Sequence, residues 1–199
     1  MQQAGNTDAR RPTIAVMTEP AREPRNIILV GPMAAGKSRI GRELAQRCGL
    51  RLMDADAEIE REAGASIAAI FGSEGEAGFR RRERAMLADL LKQDGIVLAT
   101  GGGAVLDAGT RALLPERGFV VHLDASPAIQ LARAAGNAAR PLLQHSDPSA
   151  VLHTLAEERG PLYAEVAALR VDTDDLSPSQ VCARIVAKLP ACLRSGAGA

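Results

Sequence analysis

The sequence predicts an α/β domain, a five-stranded parallel sheet covered by helices on both faces. Three observations predict it. Several short runs are apolar throughout, as strands buried on both faces are. Helical patterns fall between these runs. The 199 residues, 46% hydrophobic and 24% charged, have the size and balance of one globular domain.

In chain order, residues 1 to about 25 are rich in Pro, Arg, Thr, Glu and Asn without sustained period, and read as a disordered leader. Ile27 to Val30 is the first strand, and Ile40, Leu44 and Cys48 mark one face of the helix that starts at Lys37 and closes at Gly49. A second strand, Arg51 to Met53, ends at Asp54. Helices are expected over 57–63, 66–71 and 74–92, the last with Phe79, Met86 and Leu90 on one face. Ile96 to Ala99 is the third strand, and 107–115 reads as helix. Phe119 to Leu123 is the fourth strand, and Ser126-Pro127 opens a helix with Ser as cap and Pro in the first turn. The segment 136–148 is polar, contains Pro141 and Pro148, and reads as a mobile loop. Helices over 149–158 and 161–166, a fifth strand over 169–172, and a last helix opened by Ser177-Pro178 complete the domain, 26–190. Residues 191–199 read as a flexible tail.

Composition narrows the function. With 24 basic and 24 acidic residues the formal charge is zero, which argues against a nucleic-acid binder that relies on bulk positive charge. Cys48, Cys182 and Cys192 have neither disulfide-framework nor zinc-ligand spacing. No apolar run approaches a membrane span and no signal-peptide h-region follows the N-terminus, so a reduced, cytoplasmic protein is expected; a monomer is the expected state.

Gly31-Pro32-Met33-Ala34-Ala35-Gly36-Lys37-Ser38 matches GxxxxGK[ST] at every fixed position, between a buried strand and an amphipathic helix. In such a loop the backbone N–H groups of residues such as Ala34, Ala35 and Gly36 turn inward around phosphates, and the helix N-terminus adds positive potential. Lys37 reaches the β- and γ-phosphates, and the Ser38 hydroxyl ligates Mg²⁺. ATP with Mg²⁺ is therefore the expected ligand.

Asp54-Ala55-Asp56 ends the second strand, on the side of the sheet where ligands gather, and strand alternation sends Asp54 and Asp56 to the same side. One carboxylate can hold Mg²⁺ while the other addresses a substrate hydroxyl; the competing reading is a helix N-cap. Thr100-Gly101-Gly102-Gly103 follows the third strand, and three glycines in a row suit close approach of a ligand to the backbone. Arg80 belongs to a run of arginines that is mostly a solvated face, and periodicity does not single it out. Arg140 lies in the polar loop, where closure would bring positive charge to a transferring phosphoryl group. Arg159 suits either a helix C-terminus or a ligand. His122, inside a strand, reads as a satisfied core residue.

Taken together, these blocks resemble shikimate kinase. The resemblance rests on Gly31-Pro32-Met33 through Gly41-Arg42, Asp54-x-Asp56, Gly75-Glu76-x-Gly78-Phe79-Arg80-x-x-Glu83, Ile96 through Gly103, Arg140-Pro141-Leu142-Leu143 and Glu158-Arg159-x-Pro161-Leu162-Tyr163. It implies a three-layer P-loop kinase fold with strand order 2-3-1-4-5 and a mobile lid. It also implies ATP and shikimate as substrates, with Asp56 on the shikimate hydroxyls and Arg80 and Arg159 on its carboxylate. The Gly102 backbone would line that pocket, Arg140 would be the lid arginine, and Ser38 with Asp54, through water, would hold Mg²⁺. Two residues depart from the family pattern: Ala34 stands where Gly is usual, and Arg39 where Thr is usual. Both lie beside the phosphates, so tuned nucleotide affinity is the expected consequence. A gluconate kinase of similar build and a non-catalytic nucleotide-binding module are the competing readings. The module reading requires damage at Lys37, Asp54 or Asp56, and all three are intact.

Overall fold

A computed structural model describes residues 23–134 and 147–194. Five strands form one parallel sheet in the order β2-β3-β1-β4-β5: β1 (Ile27–Val30), β2 (Arg51–Asp54), β3 (Ile96–Ala99), β4 (Phe119–Asp124) and β5 (Leu169–Asp172). Strand β1 is central. Its four side chains are fully buried, which is why its sequence shows no polar alternation. Its register pairs Leu29 with Ala99 on one side and Val30 with His122 on the other.

Alternate side chains of β1 feed two cores. Ile28 and Val30 join the core beneath α2 (Ala55–Ala63), α3 (Ile67–Leu90), α4 (Ala108–Arg117) and α6 (Pro148–Val166). Ile27 and Leu29 join the opposite core, which packs on α1 (Lys37–Cys48), α7 (Pro178–Lys188) and the short α8 (Ala191–Arg194). Helix α5 (Pro127–Ala134) follows β4, and a 3-10 turn, Ala104–Leu106, follows the glycines after β3. In α1 the buried Ile40, Leu44 and Cys48 repeat at four-residue spacing, and Gly49 in the left-handed region (φ 65°) ends the helix. Below the sheet, the buried Asn26 amide donates to the carbonyls of Gln93 and Arg117 and accepts from the Ile96 N–H, tying the entries of β1, β3 and β4 together.

Four helices differ from expectation for identifiable reasons. Helix α2 starts two residues earlier than expected, because Asp54 caps it through the N–H groups of Asp56 and Ala57. The helices expected over 66–71 and 74–92 abut as α3, the chain bending between them at Gly75 (φ 67°, ψ −178°). Pro161 does not divide α6, and Pro115 does not end α4. Both prolines lie on exposed helix faces, so the carbonyl each leaves without its helical donor can bond to water.

Candidate active site

The carboxyl ends of β1 to β4 open into a cavity of about 940 Å³ whose walls come from the loop after β1, the glycines after β3, and helices α2, α3, α5 and α6. Its first half is the phosphate cradle. Gly31 (φ 140°) passes so close to β4 that a Cβ there would fall on the Leu123 carbonyl oxygen. Only glycine lets the loop leave β1 at this angle. Lys37 Nζ donates to the carbonyls of Gly31 (2.8 Å) and Pro32 (2.7 Å), so the ammonium is held at the loop's mouth. Ala34, Gly36, Ser38 and Arg39 also line the cavity; Ala35 turns its methyl into the core, leaving only its backbone for a ligand. Ala34 adopts φ 59°, the one described non-glycine residue at positive φ, at the position singled out as a departure from the family pattern.

Asp54 and Asp56 both line the cavity, but strand alternation does not bring them there. Asp54 is the last residue of β2, and Asp56 sits in the first turn of α2. The capping reading and the site reading of Asp54 are thus compatible: Oδ1 accepts the two helix N–H bonds, and Oδ2 lies outside the cap.

The second half of the cavity is built from side chains. Arg80 Nη1 pairs with Glu83 Oε2 at 2.6 Å, and its Nη2 with Glu76 Oε1 at 3.2 Å. Burial works against the charged guanidinium, but Glu83 and Glu76 outweigh it and hold the Arg80 pKa above its ordinary value. The glycines after β3 leave the room this pair occupies. A Cβ at Gly103 would fall on the Arg80 guanidinium, and one at Gly101 would meet Glu83 Oε1 and Asp56 Oδ1. Asp56 and the Arg80–Glu83 pair therefore flank one glycine. Thr100 anchors the turn: its N–H and Oγ1 both donate to the Leu29 carbonyl, at 3.1 and 3.0 Å.

Helix α6 supplies the opposite wall. The Gly102 carbonyl accepts from Arg159 Nη1 (3.2 Å) and from the Tyr163 hydroxyl (2.6 Å). Arg159 Nε is buried without a hydrogen-bond acceptor among the described residues. Burial raises the Tyr163 pKa to about 12, so its hydroxyl stays protonated and donates at neutral pH.

Sequence reasoning missed four residues here. Glu83 and Tyr163 stood in quoted motifs without a role. Arg133, in the last turn of α5, donates to the Thr173 carbonyl (2.6 Å) and reaches the Ala34 carbonyl (3.4 Å), and so braces the cradle. His122 was expected to be a satisfied core residue. It is buried, but neither ring nitrogen has a hydrogen-bond partner among the described residues; the ring stacks on Tyr163, and the residue lines the cavity. Arg140 and the expected lid over 136–148 fall largely outside the described residues.

Known proteins are similar to this chain over most of its length. Residues 33–190 match the family model described as shikimate kinase. A shikimate kinase from Shewanella amazonensis is 53% identical over 167 residues, which cover 84% of this chain and 98% of that relative. One from Xanthomonas oryzae is 50% identical, covering 83% and 92%. The solved structure of shikimate kinase from Acinetobacter baumannii in complex with shikimate superposes with TM-score 0.80 at 44% identity, over 82% of this chain and 91% of that one. A gluconokinase from Sinorhizobium meliloti, at 20% identity and TM-score 0.50, shares the fold alone.

Proposed function

The chain belongs to the shikimate kinase family, and we propose the residues through which it moves the γ-phosphoryl group of ATP onto the 3-hydroxyl of shikimate. The products are shikimate 3-phosphate and ADP. The shikimate oxygen attacks phosphorus in line, the bond to the β-phosphate oxygen breaks, and the hydroxyl proton leaves to Asp56. The backbone of 34–36 and the Lys37 ammonium neutralise the phosphates, with Arg39 at their edge and Arg140 adding charge from the polar loop. Asp56 orients the hydroxyl and accepts its proton. Arg80, Arg159 and the Gly102 backbone hold the carboxylate.

The observation that carries this reading is the buried Arg159 Nε–H. A buried guanidinium N–H left without an acceptor among the described residues suits an anion as partner, and Arg159 lines the same cavity as Lys37 and Asp56.

The residues present also fit a divalent cation. No cluster of three potential ligands exists among the described residues. Ser38 and Asp54 nevertheless share the cavity, and Asp54 keeps one carboxylate oxygen outside its helix cap. One hydroxyl, one carboxylate, phosphate oxygens and water make a Mg²⁺ donor set. Bound there, Mg²⁺ supplies charge neutralisation between the β- and γ-phosphates.

We further propose a monomeric cytoplasmic enzyme with a single catalytic domain over 26–190, which α8 extends to Arg194 by burying Leu193 in the core where a flexible tail was expected, and with neither nucleic acid nor membrane as partner. ATP and three free thiols suit a reducing, nucleotide-rich compartment.

ADP release from ATP and Mg²⁺ tests the assignment, with shikimate, gluconate and nucleoside monophosphates offered separately and Lys37→Ala as control. Turnover with shikimate alone is expected, and turnover only with another acceptor would overturn the pocket assignment. For Asp56→Asn a loss of kcat of about 10²-fold or more is expected. Near-normal turnover at ordinary shikimate affinity would rule out an essential base.

A further inference from the structure

His122 stands where the two halves of the cavity meet. It pairs in register with Val30, the last strand residue before Gly31, and its ring stacks on Tyr163 with centroids 4.8 Å apart and planes at 26°. Tyr163 in turn holds the Gly102 carbonyl. The His122 side chain is 6% exposed and lines the cavity. Asp124 Oδ1 lies 3.9 Å from Nε2, beyond hydrogen-bond length.

Buried polar atoms in folded proteins are almost always partnered, and a neutral imidazole brings one donor and one acceptor. Among the described residues neither partner is supplied: the Tyr163 hydroxyl donates to Gly102, and the neighbouring strand backbone belongs to the sheet. An apolar residue would fill this position without leaving polar atoms unmatched. The cavity that His122 lines is where a partner for the ring can enter.

We propose that His122 is a ligand-contacting residue of the transfer site: in the loaded enzyme its ring N–H donates, directly or through one bound water, to an anionic oxygen where the phosphate cradle meets the acceptor pocket. The surroundings keep the ring neutral and so leave it one donor and one acceptor. Burial lowers its pKa first; Asp124 on its own strand opposes this, while Arg170 on β5 and Lys37 on α1 add to it, and Tyr163 on α6 faces it as a neutral phenol. The inference rests on the site assignment above.

The test combines kinetics with ring-nitrogen NMR on the full chain. His122→Phe keeps an aromatic ring against Tyr163 and removes both nitrogens. It should lower kcat/KM for shikimate phosphorylation by about tenfold without lowering the melting temperature, and His122→Gln, which restores an N–H donor, should recover part of the loss. In the wild type, the ¹⁵N shifts of the His122 ring should move when shikimate and a non-hydrolysable ATP analogue are added together. Titrating each alone tells whether the oxygen or water belongs to the phosphate or the acceptor side. Unmoved ring shifts in the loaded enzyme overturn the proposal whatever the kinetics, as does wild-type turnover in a folded His122→Phe. If that variant fails to fold, the wild-type shifts decide. The site assignment fails separately, by turnover without shikimate dependence or survival of activity in Lys37→Ala.

Discussion

The phosphate cradle and the acceptor pocket share a cavity but are made differently. The cradle is eight consecutive residues, 31–38, and most of its donors are backbone N–H groups aimed by the loop and the start of α1. The acceptor pocket gathers Asp56 from α2, Arg80 and Glu83 from α3, the glycines after β3, and Arg159 and Tyr163 from α6. Its central bonds join residues 57 and 61 positions apart. A backbone site is written in the spacing of glycines. A side-chain site exists only once the sheet has brought distant helices together.

Substitutions can break this division or sharpen it. The largest effect is expected for Lys37→Ala, a loss of kcat/KM of about 10³-fold with shikimate binding retained, measured by ADP release and by shikimate titration. Loss of shikimate binding as well would mean that the halves are not separable. Next comes Arg159→Ala, which should raise KM for shikimate by about 10²-fold and leave KM for ATP unchanged. Gly103→Ala should act on the same side more weakly. Its methyl would displace the Arg80 guanidinium from Glu83, and a rise in shikimate KM of about tenfold is expected, again sparing ATP. The smallest change concerns the cradle's one departure from glycine. Ala34 holds φ 59°, and Ala34→Gly should stabilise the fold by about 1 kcal/mol in urea unfolding. The left-handed cost removed is partly offset by the extra freedom glycine gives the unfolded chain.

The same distinction decides what the sequence revealed. Local signals sufficed for β1, α1 and the cradle, because an apolar run, a four-residue repeat and fixed glycines are all read within twenty residues. Although β2 and β5 each carry an Arg and an Asp, all five strands were legible as short β-type runs. Their spatial order was not, since it is fixed by crossovers, and it came instead from the family resemblance. Asp54 and Asp56 were placed in the right cavity for a partly wrong reason: helix capping, rather than strand alternation, brings them there. Arg80 could not be told from its neighbours until Glu83 and the space over Gly103 were visible. His122 looked like core because it is core by exposure. Only the missing partners of its ring set it apart, and no periodicity carries that information.

The place of β1 has a consequence for how the chain is made. Among the five strands of the sheet, Ile27–Val30 comes first in chain order and lies in the middle in space. Its neighbour on one side, β3, arrives only at Ile96, and its neighbour on the other, β4, only at Phe119. For the time needed to synthesise those residues, a fully apolar strand has two open edges, the kind of surface that nascent chains bury in chaperones or lose to aggregation. The Asn26 amide, which joins Gln93, Ile96 and Arg117, cannot complete its bonds until the same late stretch has emerged. Folding of this domain is therefore gated by its middle: chains arrested before Phe119 should remain protease-sensitive through β1, whereas chains released after β4 should protect it.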